Sequence, residues 1–212
     1  IYDRLSVCGL EEKGESFYND RLSNVVEELE SSGVAEVSDG ALVVFDEKDK
    51  KKEKVPLIIR KSDGGFLYAT TDLAAVDYRS KELKANRVLY VTDAGQSGHF
   101  KAVFQAAQRS QELGDMSLEH VPFGLVQGED GKKFATRSGE TVRLKDLLDE
   151  AESRCLTELQ ERDSDADDLH ELAKVVGIGA VKYADLSLNR ESNYKFSYEK
   201  MLSLSGNTAP YM

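Results

Sequence analysis

The sequence is poor in the residue types that build metal clusters and disulfide frameworks. Its 212 residues include two cysteines and three histidines. Cys8 and Cys155 lie far apart and form no CxxC or metal-ligand spacing, so we interpret both as reduced packing residues of an intracellular protein. The histidines are scattered and no carboxylates cluster at ligand spacing, which argues against a bound metal. Apolar residues never run long enough to cross a bilayer, so we expect no membrane partner.

Positive charge is also in short supply. Lysine and arginine number 28 against 39 aspartate and glutamate residues, which gives a formal net charge of −11. A module dedicated to RNA binding usually presents a basic face, so this balance argues weakly against one but leaves room for a local basic strip. Hydrophobic residues at 40% and charged residues at 32% predict a soluble, globular protein.

The two ends carry no targeting information. The chain opens with Ile1 rather than methionine, shows no signal or transit pattern, and stops at Met212 just beyond a turn-like segment. Both ends therefore look cut. We expect a cytoplasmic protein, with an organellar copy left open.

Residues 1–60 are predicted to form a connective segment. The apolar residues of its first helix recur at helical spacing: Leu22, Val25, Val26 and Leu29. That helix is predicted to end at Gly33, and a strand is predicted at 41–45. The run 46–54 is nearly all charged, and its mixture of acids and bases indicates an exposed loop rather than a nucleic-acid patch.

Residues 61–145 alternate between strand-like and helical patterns. β-Branched and aromatic runs predict strands, and amphipathic runs predict the helices between them. The predicted order is strand 66–70, helix 72–83, strand 88–92, helix 99–113 and strand 121–127. This β-α-β-α-β order implies an α/β fold with a parallel, doubly wound, Rossmann-like sheet.

Residues 146–212 are predicted to be helical. An apolar stripe that begins at Leu144 and includes Ala151 and Cys155 marks one helix. A second helix is predicted to start near Asp168, with Glu171 as its capping-box partner.

Polar side chains follow each predicted strand, where ligands bind in an open parallel sheet. They are Thr70, Thr71 and Asp72 after the first strand, Asp93, Gln96 and His99 after the second, and the basic run 128–138 after the third. Each also has a simpler interpretation. Asp72 can be a first-turn acid that answers the helix dipole, Gln96 a solvated loop residue and His99 a structural residue at a helix start. Tyr68 can be half-buried core, and the run 128–138 can be a hydrophilic hairpin.

The motifs occur in an order and at distances that resemble arginyl-tRNA synthetases. The segments that carry the resemblance are Lys61-Ser-Asp-Gly-Gly65, Tyr68-Ala-Thr-Thr-Asp72, Gln96-Ser-Gly-His99-Phe100, 128–140, 182–187 and 201–209. Each motif alone is modest, but the ordered set is specific and covers essentially the whole chain. The particular spellings of these motifs resemble those of eukaryotic-type enzymes.

The resemblance implies a class I aminoacyl-tRNA synthetase. Such an enzyme joins L-arginine to ATP, with Mg²⁺, as an arginyl-adenylate and then transfers the arginyl group to tRNA(Arg). The fold it implies is the second half of the class I catalytic fold followed by a helical segment. On the matching positions, we expect Tyr68, Asp72 and Gln96 to hold arginine and His99 to lie near the nucleotide.

The segment 133–137 aligns with the class I signature loop, which is spelled KMSKS in most members. This chain has Phe and Ala in place of the Met and the first Ser of that spelling, and Arg137 stands at its last position. The resemblance therefore implies that Lys132, Lys133 and Arg137 are the catalytic cations, and that Lys133 also binds ATP.

Class I enzymes also carry a HIGH-type motif early in the catalytic fold, and the sequence contains no such segment. The helical anticodon-binding domain is expected beyond Met212. We therefore expect this chain to be inactive alone. Two alternatives stay open: a non-catalytic, synthetase-like binding protein, and an unrelated Rossmann-type nucleotide-binding protein.

Overall fold

The chain folds into two compact units in the computed structural model, which describes residues 1–48, 55–128, 143–162, 168–203 and 207–209. One unit is Glu11–Pro122, and the other joins Ile1–Leu10 to Phe123–Met212. The division of the sequence into a connective, a Rossmann-like and a helical segment stays a prediction.

The unit Glu11–Pro122 begins with a short 3-10 helix, Glu15–Arg21, that leads into helix α1, Leu22–Ser31. The apolar stripe predicted for α1 is buried, with Leu29 wholly inaccessible. Gly33 follows the helix at φ +66°, a left-handed conformation that glycine adopts without a steric penalty. The predicted helix and its end are therefore confirmed.

A three-stranded antiparallel sheet follows, in the order β1–β2–β3. Its strands are β1 Glu36–Ser38, β2 Ala41–Val44 and β3 Leu57–Arg60. The predicted strand 41–45 corresponds to β2. No strand was predicted at β3, which is only four residues long and follows the charged run.

The strand predicted at 66–70 is wrong. Phe66 makes one isolated antiparallel bridge to Arg60, and the chain then enters helix α2, Tyr68–Lys81. The β-forming residues of this stretch are overruled by packing, because a helix buries Ala69, Leu73 and Val76 together on one face. The helix predicted at 72–83 is thus correct in kind but begins earlier.

The remaining elements of this unit form a β-α-β arrangement: β4 Arg87–Asp93, α3 Ser97–Ser110 and β5 Ser117–Phe123. The strands β4 and β5 are neighbours in one sheet. The Ser117 amide donates to the Asn86 carbonyl at 3.0 Å, and Arg87 pairs with Glu119. Both contacts lie where the strands begin, so the strands run in the same direction.

The core of this unit fills the space between helices and strands. Its largest wholly buried side chains include Leu29, Ile59, Leu73 and Val103. The Tyr90 ring of β4 lies 4.9 Å from that of Phe100 on α3. These contacts fix β4 against α3, and the turn that joins the two elements carries part of the site described below.

The second unit contains strand β6 Val126–Gln127, helices α4 Leu144–Arg162 and α5 Leu169–Leu186, strand β7 Tyr194–Lys195 and helix α6 Tyr198–Leu202. Strands β6 and β7 pair in parallel. The single strand predicted at 121–127 is therefore wrong, because Gly124 separates β5 from β6. The Gly124 amide donates to the Arg190 carbonyl at 2.7 Å, which leads the chain out of β5.

Helices α4 and α5 pack closely, and the stripe predicted for α4 is buried at Leu148, Ala151 and Cys155. A Cβ at Gly177 would lie 2.9 Å from the Ala151 carbonyl oxygen, so the backbones meet there. Helix α5 starts as predicted, after Asp168, but that side chain makes no cap hydrogen bond, so the predicted capping box is wrong.

The predicted α/β fold class, with parallel sheet elements and a helical C-terminal segment, is confirmed. Among the helices in the described ranges, none has the length and apolarity needed to cross a membrane.

Candidate functional site

A cavity of about 400 Å³ opens on the unit Glu11–Pro122. The side chains around it come from the start of the 3-10 helix, the first turns of α2 and the turn between β4 and α3: Glu15, Tyr68, Thr71, Asp72, Gln96, His99 and Phe100. Four residues predicted from the sequence to bind substrate or nucleotide thus lie around one cavity. They are Tyr68, Asp72, Gln96 and His99.

The start of α2 presents Tyr68 and Asp72 on the same side of the helix, because residues four apart are one helical turn from each other. Leu67 caps the N-terminus of α2 and has an extended backbone conformation. The hydroxyl of the wholly buried Thr70 donates to the Ile59 carbonyl. This bond anchors the first turn to β3. Tyr68 is 71% exposed, so it is not the half-buried core residue of the simpler interpretation.

The turn after β4 is organised by Asp93. One of its carboxylate oxygens accepts from the Gly95 amide at 2.9 Å, and the other accepts from the Gln96 side-chain amide at 2.9 Å. Helix α3 begins directly afterwards and carries His99 in its first turn. Gln96 and His99, two of the polar residues expected beyond the carboxyl end of this strand, therefore line the cavity.

Two residues of the cavity lining, Asp72 and His99, contact each other. Their atoms Oδ2 and Nε2 lie 2.6 Å apart. An ionised carboxylate can only accept, so Nε2 carries the proton and the ring is held in that tautomer. The side chains keep 29% and 31% of their exposure, respectively. Within the described ranges, Oδ1 of Asp72 has no hydrogen-bond partner and is available to a ligand.

The lining of the cavity is acidic. It includes the carboxylates of Glu15 and Asp72, and none of its described residues is lysine or arginine. Among the described lining residues, His99 is the one basic side chain. Glu15 makes no ion pair with any residue that the structure describes. The arrangement favours a ligand that is positively charged and rich in hydrogen-bond donors.

Glu15 is a site residue that the sequence analysis missed. It stands far from the other site residues in sequence, and its setting between Gly14 and Ser16 indicates a polar turn. No local pattern distinguishes such a glutamate from a solvated one. The fold alone brings it beside α2.

The predicted catalytic residues Lys132, Lys133 and Arg137 lie outside the described residues. Where the structure describes the chain, no three His, Cys, Asp or Glu side chains come together as a metal site would require.

The family model described as "tRNA synthetases class I (R), catalytic domain" matches residues 1–198 of the chain. The chain belongs to this family of arginyl-tRNA synthetases. Membership removes the alternative of an unrelated Rossmann-type protein.

Curated arginyl-tRNA synthetases match the whole chain. The arginine–tRNA ligase of a Picosynechococcus species is 57% identical over 221 aligned residues, which take in 100% of this chain and 38% of that relative. The ligase of Nostoc punctiforme is 56% identical, with the same two coverages. The chain thus spans 38% of the length of these relatives.

Solved arginyl-tRNA synthetases share the fold. The crystal structure from Plasmodium falciparum matches with a TM-score of 0.83 at 35% identity, over 99% of this chain and 35% of that one. The Thermus thermophilus structure matches with a TM-score of 0.67 at 19% identity, which supports the fold alone. The bacterial relatives named above are more similar to this chain in sequence than the Plasmodium enzyme is.

Proposed function

We propose that the protein is an arginine–tRNA ligase, which activates L-arginine with ATP to arginyl-adenylate and transfers the arginyl group to tRNA(Arg) in translation. The observation that carries the proposal is the acid-lined cavity of a chain that belongs to this family. Its place of action is proposed to be the cytoplasm, where translation takes place.

Guanidinium recognition follows from the chemistry of the cavity. The guanidinium group is planar, always charged and carries only donors, so it requires acceptors around it. Asp72 offers Oδ1, and Glu15 offers a second carboxylate in the lining of the same cavity. Tyr68 is exposed enough for its ring to stack on the guanidinium plane. These residues are proposed to hold the arginine side chain.

ATP is the proposed second substrate, with His99 near the nucleotide and Lys133 on its phosphates. Negative charge grows on the leaving pyrophosphate when the arginine carboxylate attacks the α-phosphate. Cations that meet this charge in the transition state raise kcat more than they tighten ATP binding. Mg²⁺ would enter with ATP, since the phosphates and water supply most of its preferred ligands.

Alanine substitution tests the loop. The variants are Lys132→Ala, Lys133→Ala and Arg137→Ala, singly and together, in the full-length protein. Arginine activation should fall mainly in kcat, most in the combined variant. A triple variant that activates arginine at the normal rate would remove these residues from catalysis.

The whole proposal is tested with the full-length protein, ATP, tRNA and radioactive arginine. Formation of arginyl-tRNA is expected. Bound arginine without arginyl-tRNA would instead favour the non-catalytic, synthetase-like alternative. The 212-residue chain alone is the matched control, and we expect it to be inactive because it spans 38% of the length of its relatives.

A further inference from the structure

The Gln96 side chain is held in one orientation by a residue outside the cavity. Its amide nitrogen lies 2.9 Å from Oδ2 of Asp93. Asp93 is not among the residues that line the cavity, whereas Gln96 is. The other oxygen of Asp93 accepts from the Gly95 amide, so both carboxylate oxygens have donors.

The chemistry of the two groups decides which end of the Gln96 amide faces the cavity. A primary amide has an NH₂ end that donates and a carbonyl end that accepts, and the two ends are similar in shape. An ionised carboxylate can only accept, so Asp93 must take the NH₂ end. The carbonyl oxygen is left over, and no residue in the described part of the chain donates to it.

Gly95 makes this arrangement sterically possible. A Cβ at that position would lie 2.8 Å from Oδ1 of Asp93, closer than real Cβ contacts. Gly95 is not in the left-handed region, so backbone strain does not require a glycine there. The missing side chain instead leaves room for the carboxylate to reach Gln96.

We propose that Asp93 is a positioning residue for substrate specificity: it fixes the Gln96 amide so that its oxygen, not its nitrogen, faces the arginine site. The inference rests on the proposed function. With Asp72, Glu15 and a fixed Gln96 oxygen, the cavity presents acceptors to a ligand that only donates. Citrulline has a carbonyl in place of one guanidinium nitrogen. Its carbonyl oxygen, which accepts hydrogen bonds, would therefore face acceptor oxygens of the cavity instead of presenting a donor to them.

Asp93→Asn in the full-length protein is the first test. Asparagine keeps an oxygen for the Gly95 amide, so the turn is preserved. Its NH₂ group replaces Oδ2 and makes Gln96 turn over, which points donors at the guanidinium. The KM for arginine should rise about tenfold or more, the usual effect of losing a hydrogen bond to a charged group. The KM for ATP and the melting temperature should change little, and the preference for arginine over citrulline should fall.

The double variant Asp93→Asn with Gln96→Glu provides the rescue. The asparagine NH₂ then donates to one oxygen of the introduced carboxylate, and the other oxygen faces the cavity as an acceptor again. The KM for arginine should return to within about threefold of the wild type, because the hydrogen bond to the guanidinium is restored. Gln96→Glu alone places two carboxylates together and should not bind arginine normally. Asp115→Asn, in an exposed turn of the same unit, controls for the lost charge.

The outcomes distinguish a failure of the role proposed for Asp93 from a failure of the proposed arginine–tRNA ligase function. An unaltered KM for arginine in Asp93→Asn, or a double variant no better than Asp93→Asn, would overturn the role of Asp93. A wild-type protein without arginine-dependent ATP–pyrophosphate exchange in the presence of tRNA would instead overturn the proposed function.

Discussion

Replacement of Asp72 by asparagine is the sharpest perturbation of the arginine site. Asparagine has the same shape and keeps an oxygen for the Nε2 proton of His99, which lies 2.6 Å from the native carboxylate. The change therefore removes the charge and turns a donor towards the guanidinium, while the packing around the side chain is retained. We expect weaker use of arginine without loss of folding.

The expected decrease in kcat/KM follows from how deeply the Asp72 carboxylate is buried where it would pair with the guanidinium. Leaving one charge of a buried pair without its partner costs roughly 2–5 kcal/mol. Asp72 keeps 29% of its side-chain exposure, so water screens part of the loss and the lower end applies. About 2 kcal/mol corresponds to a decrease of about 30-fold in kcat/KM for arginine at 25 °C.

Arginine-dependent ATP–pyrophosphate exchange by the full-length protein, with tRNA present, measures this decrease. Asp77→Asn is the matched control, because it makes the same substitution on the same helix. Asp77 pairs with Lys81 at 2.6 Å and does not line the cavity. The control is expected to lower stability but not the specificity for arginine. A value of kcat/KM in Asp72→Asn equal to that of the wild type would remove Asp72 from arginine binding.

Three further predictions concern the stability and reactivity of the fold. Gly177→Ala should lower the free energy of unfolding by about 1–3 kcal/mol, since its Cβ would meet the α4 backbone at 2.9 Å. Gly179→Ala, in open space on the same helix, should instead be neutral or stabilising by up to about 1 kcal/mol, and thermal melts of both variants check the contrast. Thr70→Val should cost about 1 kcal/mol in a urea titration, because the buried Ile59 carbonyl loses its donor; an unchanged midpoint would show that this bond does not anchor α2. Burial raises the pKa of the Cys155 thiol, so unfolding exposes a more acidic thiol and alkaline pH favours the unfolded state. Peptide mapping should therefore find Cys155 alkylated at pH 8 only after denaturation.

Elements with strong periodicity could be predicted from the sequence. Helix α1 has an apolar stripe at helical spacing and strand β4 has a β-branched run bounded by polar residues, and both were located correctly. The stretch 66–70 failed because its residues favour a strand locally while the core needs a helix. The anchoring bond from Thr70 to the backbone of β3 comes from a distant part of the chain, and no local pattern contains it.

The site shows a related limit. Gln96 and His99 were found because they follow a strand that exists, β4. Asp72 was found through a strand that does not exist; it reaches the cavity because it lies one helical turn after Tyr68. Glu15 could not be found, since only tertiary folding brings it to α2. The pairing of Asp72 with His99 was likewise unpredictable, because it depends on how α2 packs against α3.

The most direct measurement is a crystal structure of the full-length protein with L-arginine bound. We expect the guanidinium in the cavity of the unit Glu11–Pro122, with one of its nitrogens about 3 Å from Oδ1 of Asp72 and the Gln96 carbonyl oxygen turned towards it. Arginine bound elsewhere, or bound here with its guanidinium in solvent and Asp72 facing only His99, would contradict the assignment of this cavity as the arginine site.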